Sequence, residues 1–379
     1  MISEQFFGPV IGRGLIAETD IQKDSFLFEE EPLVQIQYSW NKKYNYSACE
    51  ECMKPLENVD ENLKRLTGDS SIIVPCKQFC VISPMKSSFC NCEKCGAKYC
   101  SKYCFEKAIN LHHKYLCPSN GYVSKEFLET FETLWNGIHY PPETSNIMIL
   151  VKMVAMVHQA ENKENIISMF ASFCQSTFNE SDLLVHKILN EKYTSQIKML
   201  FEMFKKNLYT EYLHNWFTYE GFQNLIALIC RNAQGIATSS FSLWVKMAES
   251  NLKNNECFEN FVENVYEKID DHVGSFIDNE GIGLYQKQSL INHSCIPNCE
   301  IKFSGLDNKL SLMALRNISK GEQLFISYLD ECQLNRSRHS RQKYLKEYYL
   351  FNCQCEKCLM ENGEPDETSE EEDSDEMME

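Results

Sequence analysis

No stretch of this chain stays uncharged and apolar for the ~20 residues that a bilayer-spanning helix needs. The opening residues, MISEQFFGPVIGRG, have neither a basic flank nor an apolar core. A membrane span and a secretory leader are therefore not expected. Positive charge is also short: 37 Lys and Arg stand against 54 Asp and Glu. So acidic a chain is a poor general binder of nucleic acid, and no direct sequence-specific contact with it is expected. What remains is an intracellular protein, expected in nucleus and cytoplasm and as a monomer. Its 379 residues, 43% of them apolar, suffice for two or three domains with a sizeable core.

The negative charge is localised. Residues 361–379 hold eleven Asp or Glu and no Lys or Arg. Such a run cannot bury apolar surface and is expected to be a disordered tail, either solubilising or attractive to basic partners. Before it, the patterning changes several times. Residues 1–48 read as strands and turns, and "DIQKDSFLF" (20–28) has a counterpart in "NISKGEQLF" (317–325), as though both belonged to one β-rich core. From about 120 to 217 the period is helical, with Ile197, Leu200, Phe201, Phe204 and Leu208 at i, i+3, i+4 spacing. Phe258, Phe261, Val262, Val265 and Ile269 repeat it; 300–330 returns to short strands, and 331–349 is helical again.

In a reducing compartment, closely spaced cysteines point to metal rather than to disulfides. Of the 19 cysteines, thirteen fall within 49–117 or 353–358. The first cluster contains four ordered pairs: Cys49-x2-Cys52, Cys92-x2-Cys95, Cys100-x3-Cys104 and His113-x3-Cys117. Zinc takes four N or S ligands in a tetrahedron, and a two-residue spacer lets one turn present two thiolates to one ion. Eight ligands make two closed sites. His112 rivals His113, but only His113 keeps the x3 spacing to Cys117. This order resembles the MYND zinc finger. The resemblance implies interleaved pairs, with Cys49, Cys52, Cys100 and Cys104 on one ion and Cys92, Cys95, His113 and Cys117 on the other. The span from Cys52 to Cys92 is longer than in that family, and its Cys76, Cys80 and Cys90 are competing ligands.

Cys353-x-Cys355-x2-Cys358 supplies three thiolates, one short of a tetrahedron. Cys295, within "LINHSCIPNCEI" (290–301), is the fourth ligand that best completes it; water, Cys299 and Cys332 are the alternatives. A third zinc would then hold the end of the chain against that polar run, which otherwise reads as a turn between buried strands, stopped by Pro297.

Asn292-His293-Ser294-Cys295-x-Pro297-Asn298 resembles the signature of SET-domain lysine methyltransferases. "GEQLFISYLD" (321–330) resembles their second signature, "GRGLIA" (12–17) their N-terminal glycine loop and "YLFNCQCEKC" (349–358) their post-SET zinc segment. A SET core interrupted by a MYND finger is the architecture of the SET-and-MYND (SMYD) family, which the chain resembles from about residue 5 to 360. The resemblance implies an α+β fold, with a β-rich SET core split by the finger and by a helical insert. Its parts would be 1–48 (N-terminal SET part), 49–117 (finger with insertion), 118–220 (helical insert), 221–330 (SET core), 331–360 (post-SET zinc segment) and 361–379 (tail).

The implied activity is methyl transfer from S-adenosyl-L-methionine to protein lysine, in histone tails, ribosomal proteins or other basic lysine-containing segments, with three zinc ions as structural cofactors. Tyr328 is the implied catalytic residue. Arg13, Gly14, Asn292, His293, Tyr328 and Phe351 would bind the cofactor, Arg13 and Gly14 through their backbone. "CRNAQGIATSS" (230–240) resembles a stretch lining the family's cofactor pocket, without an assignment for its side chains. The alternative function is a zinc-dependent adaptor whose finger takes proline-rich peptides while the SET core is inactive. Asn292, His293 and Tyr328 would be dispensable to an adaptor. A Cys/His hydrolase built from His293 and Cys295 is disfavoured because a zinc-bound thiolate is not free to attack.

Overall fold

The computed structural model describes residues 2–80, 86–138, 146–177, 191–252, 255–274, 276–303, 305–363 and 365. Most of the acidic run expected to be a disordered tail lies outside them. Twelve strands are present among the described residues: β1 (Ile2–Phe6), β2 (Arg13–Ala17), β3 (Phe26–Glu30), β4 (Val34–Gln37), β5 (Cys90–Asn91), β6 (Lys98–Tyr99), β7 (Ala233–Thr238), β8 (Asn279–Leu284), β9 (Asn292–His293), β10 (Cys299–Lys302), β11 (Leu310–Ala314) and β12 (Phe325–Ile326). They form small sheets rather than one large one: β1-β2, β10-β11-β3, β4-β8-β7 and β5-β6 are antiparallel, and β12-β9 is parallel.

The two look-alike stretches do belong to one core. Ile21 and Ile318 exchange backbone hydrogen bonds of 2.8 and 2.9 Å, and Asp20 Oδ1 accepts from the Lys320 N–H. Each turn places its fifth residue in the left-handed region, Asp24 at φ 63° and Gly321 at φ 86°. Asp and Gly are among the residues that tolerate this conformation. Leu15, Ala17, Ile21, Leu27, Phe28, Leu310, Leu312, Ile318, Leu324 and Ile326 close this β core.

The helical periodicity corresponds to real faces. Ile197, Leu200, Phe201, Phe204 and Leu208 are the buried residues of the helix Thr194–Leu208. They pack in one core with the helices Lys125–Asn136, Met148–Gln159 and Tyr219–Asn232 and with β4 and β8. Met148–Gln159 is buried continuously from Ile149 to Val157, and so has no polar stripe for a period to show.

The long span between Cys52 and Cys92 is also built. Its helix Val59–Thr67 starts with a capping box between Asn58 and Glu61 and ends at Gly68, φ 66°. Val59, Leu63 and Leu66 pack against the helices Ser240–Asn251 and Glu256–Val273, forming a third core outside the finger proper. Among the described residues no helix is long and apolar enough to cross a membrane.

Candidate active site and zinc clusters

The polar run at 290–301 threads beneath another part of the chain. β9 lies parallel to β12, with Asn292 opposite Phe325 and His293 opposite Ile326, and the Ser294 N–H donates to the Ile326 carbonyl at 3.0 Å. Two-residue strands make few ladder bonds, so side chains must satisfy the remaining backbone groups. Asn298, fully buried, supplies them: its Nδ2 donates to the Gln323 carbonyl (2.8 Å) and to Glu322 Oε1 (3.1 Å), and its Oδ1 accepts from the Phe325 N–H (2.7 Å). Asn292 Nδ2 donates to the Arg13 carbonyl at 3.0 Å, tying the same crossing to β2. The abundance of donors in this run is therefore structural as much as chemical.

Tyr328 follows β12. Its backbone N–H donates to His293 Nδ1 at 3.0 Å, and its hydroxyl donates to the Ile291 carbonyl at 2.8 Å. Because Nδ1 accepts, the imidazole proton sits on Nε2, which lies 3.4 Å from Cys295 Sγ and donates to it. Burial holds His293 down to about 4, against an ordinary 6.5, which keeps the ring neutral in that role. Burial likewise pushes the Tyr328 hydroxyl well above the usual phenol value, so it stays protonated. The Tyr328 ring stands 4.8 Å from Tyr349 and meets Phe351 edge-on at 6.3 Å; Phe351 is also 6.1 Å from His293. Phe351 thus caps the histidine and the tyrosine together.

Tyr328 opens onto a pocket of about 310 Å³ between the edge strand β7, the end of β12 and the helix Arg338–Tyr349. Asn232, Gln234, Tyr344, Tyr348 and Tyr349 share its lining. Asn232 binds across to the segment after the helix Lys163–Ala171, donating to the Cys174 carbonyl at 2.8 Å. These residues were not assigned from sequence. The signals available were the unassigned "CRNAQ" and the tyrosines at 344, 348 and 349, which read as helix and as the start of the post-SET segment.

The glycine loop meets the same crossing. A Cβ on Gly14 would come within 2.4 Å of Gln323 Nε2 and 2.9 Å of Asn292 Nδ2, so any other residue there would displace the side chains of the crossing. Gln323 Nε2 is itself buried with no hydrogen-bond partner. An unsatisfied donor beside a glycine turn suits a ligand carrying acceptor atoms, as S-adenosyl-L-methionine does. The Arg13 side chain turns away, pairing with Glu4 at 3.3 Å and donating to the Ser172 carbonyl, so Arg13 meets the crossing through its backbone only.

All twelve expected metal ligands gather in three groups of four: Cys49, Cys52, Cys100 and Cys104; Cys92, Cys95, His113 and Cys117; Cys295, Cys353, Cys355 and Cys358. Zn–S bonds of ~2.3 Å in a tetrahedron put sulfurs about 3.8 Å apart. Cys52–Cys100, Cys100–Cys104 and Cys295–Cys358 stand at 3.6 Å and Cys92–Cys117 at 4.0 Å, and Cys95 Sγ lies 3.5 Å from His113 Nε2. These spacings fit thiolates around one ion and are far too long for disulfides.

In the finger, the two C-x2-C turns are each followed by a left-handed residue, Met53 and Gly96, at which the chain reverses. The rivals are occupied elsewhere. His112 Nε2 pairs with buried Glu51 at 3.0 Å, Cys76 and Cys80 pack against the core of the insertion, and Cys90 Sγ faces the Ser88 carbonyl in β5. Cys299 is buried in the β core and Cys332 is exposed.

A SET-domain model matches residues 12–329. The protein-lysine N-trimethyltransferase SMYD5 of Mus musculus is 42% identical over 374 residues, covering 98% of this chain and 89% of that protein. The Homo sapiens protein of the same name agrees equally over the same span. The histone-lysine N-methyltransferase SET5 of Mycosarcoma maydis is 24% identical over 378 residues, covering 94% of this chain and 67% of that protein.

Proposed function

The chain belongs to the SET-domain proteins, in their SMYD branch, and on that basis we infer that it is an S-adenosyl-L-methionine-dependent protein-lysine N-methyltransferase. The observation that carries this reading is the threaded crossing: Asn292 and His293 lie under β12, and Tyr328, bonded to His293 and to the Ile291 carbonyl, lines the adjoining pocket.

The cofactor, when bound, supplies an electrophilic methyl group on a sulfonium. Arg13 and Gly14 through the backbone, with Asn292, His293, Tyr328 and Phe351, would hold it. The rest of the work falls to the protein. The incoming lysine must present a neutral amine, and the Arg231 guanidinium in the lining of this tyrosine-walled pocket disfavours a second cation there. Tyr328 donates its O–H hydrogen bond to the Ile291 carbonyl, which leaves its oxygen lone pairs as acceptors for an amine N–H. Orienting the amine in this way, with water excluded, contributes through position rather than through strong base chemistry.

Basic, lysine-containing protein segments are the substrates we propose, with histone tails and ribosomal proteins as the first to try. The relatives named N-trimethyltransferase make trimethyl-lysine the expected product. A proline-rich peptide at the finger, a monomeric state and residence in nucleus and cytoplasm complete the proposal. An adaptor with an inactive core would have no use for the His293–Tyr328 contact.

The test is methyl transfer from labelled cofactor to protein substrate, comparing the natural chain with Tyr328→Phe. The variant keeps the ring and its packing but loses the bond to Ile291. Cofactor affinity should stay within a few-fold, while transfer falls by roughly a hundredfold, the scale of a positioned polar group acting in the transition state. Undiminished transfer would remove Tyr328 from the chemistry, and no transfer by the natural chain to any lysine of a cell extract would favour the adaptor.

A further inference from the structure

The helix Arg338–Tyr349 has three sides. Ser340, Arg341 and Leu345 are buried, and Tyr344, Tyr348 and Tyr349 line the tyrosine pocket. On its remaining side Arg338, His339, Lys343 and Lys346 line a separate groove of about 800 Å³, in which Glu347 is the one acid among the lining residues. The chain as a whole carries a net charge of −17, so a groove of this sign is opposite to the protein's overall charge.

The groove's other wall is the post-SET segment, including Cys353, Cys358 and Asn362. Arg338 fastens that wall, donating to the Cys358 carbonyl at 2.9 Å and to Asn362 Oδ1 at 2.8 Å, while buried Arg341 pairs with Glu361 at 2.5 Å. The chain therefore leaves the third cysteine cluster along the rim of the basic groove. There the acidic run begins: residues 364–379 carry ten Asp or Glu and no Lys or Arg.

We propose that this acidic segment of the same chain docks in the groove formed by Arg338, His339, Lys343 and Lys346. Its reach is ample, since residues 366–379 alone extend up to about 45 Å at ~3.3 Å each, whereas the helix is about 18 Å long at 1.5 Å per residue. Tethering gives the segment an effective concentration in the millimolar range, which favours it over a free polyanion. A nucleic acid offers similar charge, but it must also approach a strongly acidic molecule. The proposal stands on the groove and the tail, independently of the catalytic reading.

Carbodiimide coupling of the intact protein, which joins a carboxylate directly to a lysine amine, tests it. A mixture of isotopically light and heavy chains distinguishes links within one chain from links between two. The expected result is intrachain linkage of 366–379 to Lys343 and Lys346, falling severalfold in ~1 M salt, where screening acts within about 3 Å. Lys346→Glu should lower the linkage read at Lys343 by about fivefold through the lost attraction.

Links spread over exposed lysines such as Lys102 and Lys125, or formed only between chains, would overturn the proposal. So would a single-stranded oligonucleotide that shields Lys343 and Lys346 from acylation in the intact protein.

Discussion

Removing the Asn298 side chain tests whether the crossing of β9 and β12 is held by that residue. Asn298→Ala deletes three hydrogen bonds: to the Gln323 carbonyl (2.8 Å), to Glu322 (3.1 Å) and from the Phe325 N–H (2.7 Å). Glu322 keeps other partners, the Arg316 guanidinium and the Ser319 N–H, so its loss is minor. The Gln323 carbonyl and the Phe325 N–H lose these partners, at about 1–2 kcal/mol each for part-buried groups. The small cavity left at a fully buried site adds about 1 kcal/mol.

The expected destabilisation is therefore about 3–5 kcal/mol, large enough to be diagnostic. Asn298→Asp is the informative companion, since it keeps the acceptor for Phe325 but loses the donor and faces Glu322 with a second negative charge. Denaturant midpoints of the zinc-loaded proteins, with cofactor affinity measured in parallel, should rank the natural chain first and the alanine variant last or level with the aspartate. Because the crossing positions Asn292, His293 and Tyr328, affinity should fall with stability. An alanine variant with a natural midpoint and natural affinity would refute the idea that Asn298 pins the crossing.

Two further outcomes follow from the cysteine clusters and from His293. Elemental analysis of the natural chain should give about three zinc ions; Cys355→Ser should lose about one of them and weaken cofactor binding, because the cluster holds Cys295 and so orients His293. Natural affinity in that variant would break the link. His293 titrates near 6.5 in an unfolded chain but is held to about 4 by burial, so the unfolded state takes up the proton first as pH falls. Stability should be intact above about pH 6.5 and decline progressively towards about pH 4, with a shallower decline in His293→Gln. An equal slope in both proteins would assign the loss to other groups.

Short spacing made much of this protein legible. Knuckle pairs need only two residues between thiols, and a helix face repeats every three or four residues. Both patterns survive in a local window, which is why the buried face of Thr194–Leu208 and eleven of the twelve ligand positions, all but Cys295, were readable from spacing. The signature around Asn292 was equally local, though its physical use was not: Asn298 serves as a staple because Gln323 and Phe325 arrive beside it from a distant segment.

Residue types and local spacings follow from the chain alone: two finger sites with eight ligands, a three-cysteine knot lacking one partner, helical faces and two matching turns. The folded chain brings together the same three sets of four that the resemblance implied, with Cys295 rather than Cys299 or Cys332 beside Cys353, Cys355 and Cys358. Only the tertiary structure decided that the finger's insertion packs on the helices Ser240–Asn251 and Glu256–Val273, and that Asn232 and the tyrosines of Arg338–Tyr349 wall one pocket with Tyr328. The reason is the length of the elements involved. β9 and β12 are two residues each, too short to leave an alternation in the sequence. Their pairing comes instead from side-chain hydrogen bonds and buried surface contributed by segments far apart along the chain.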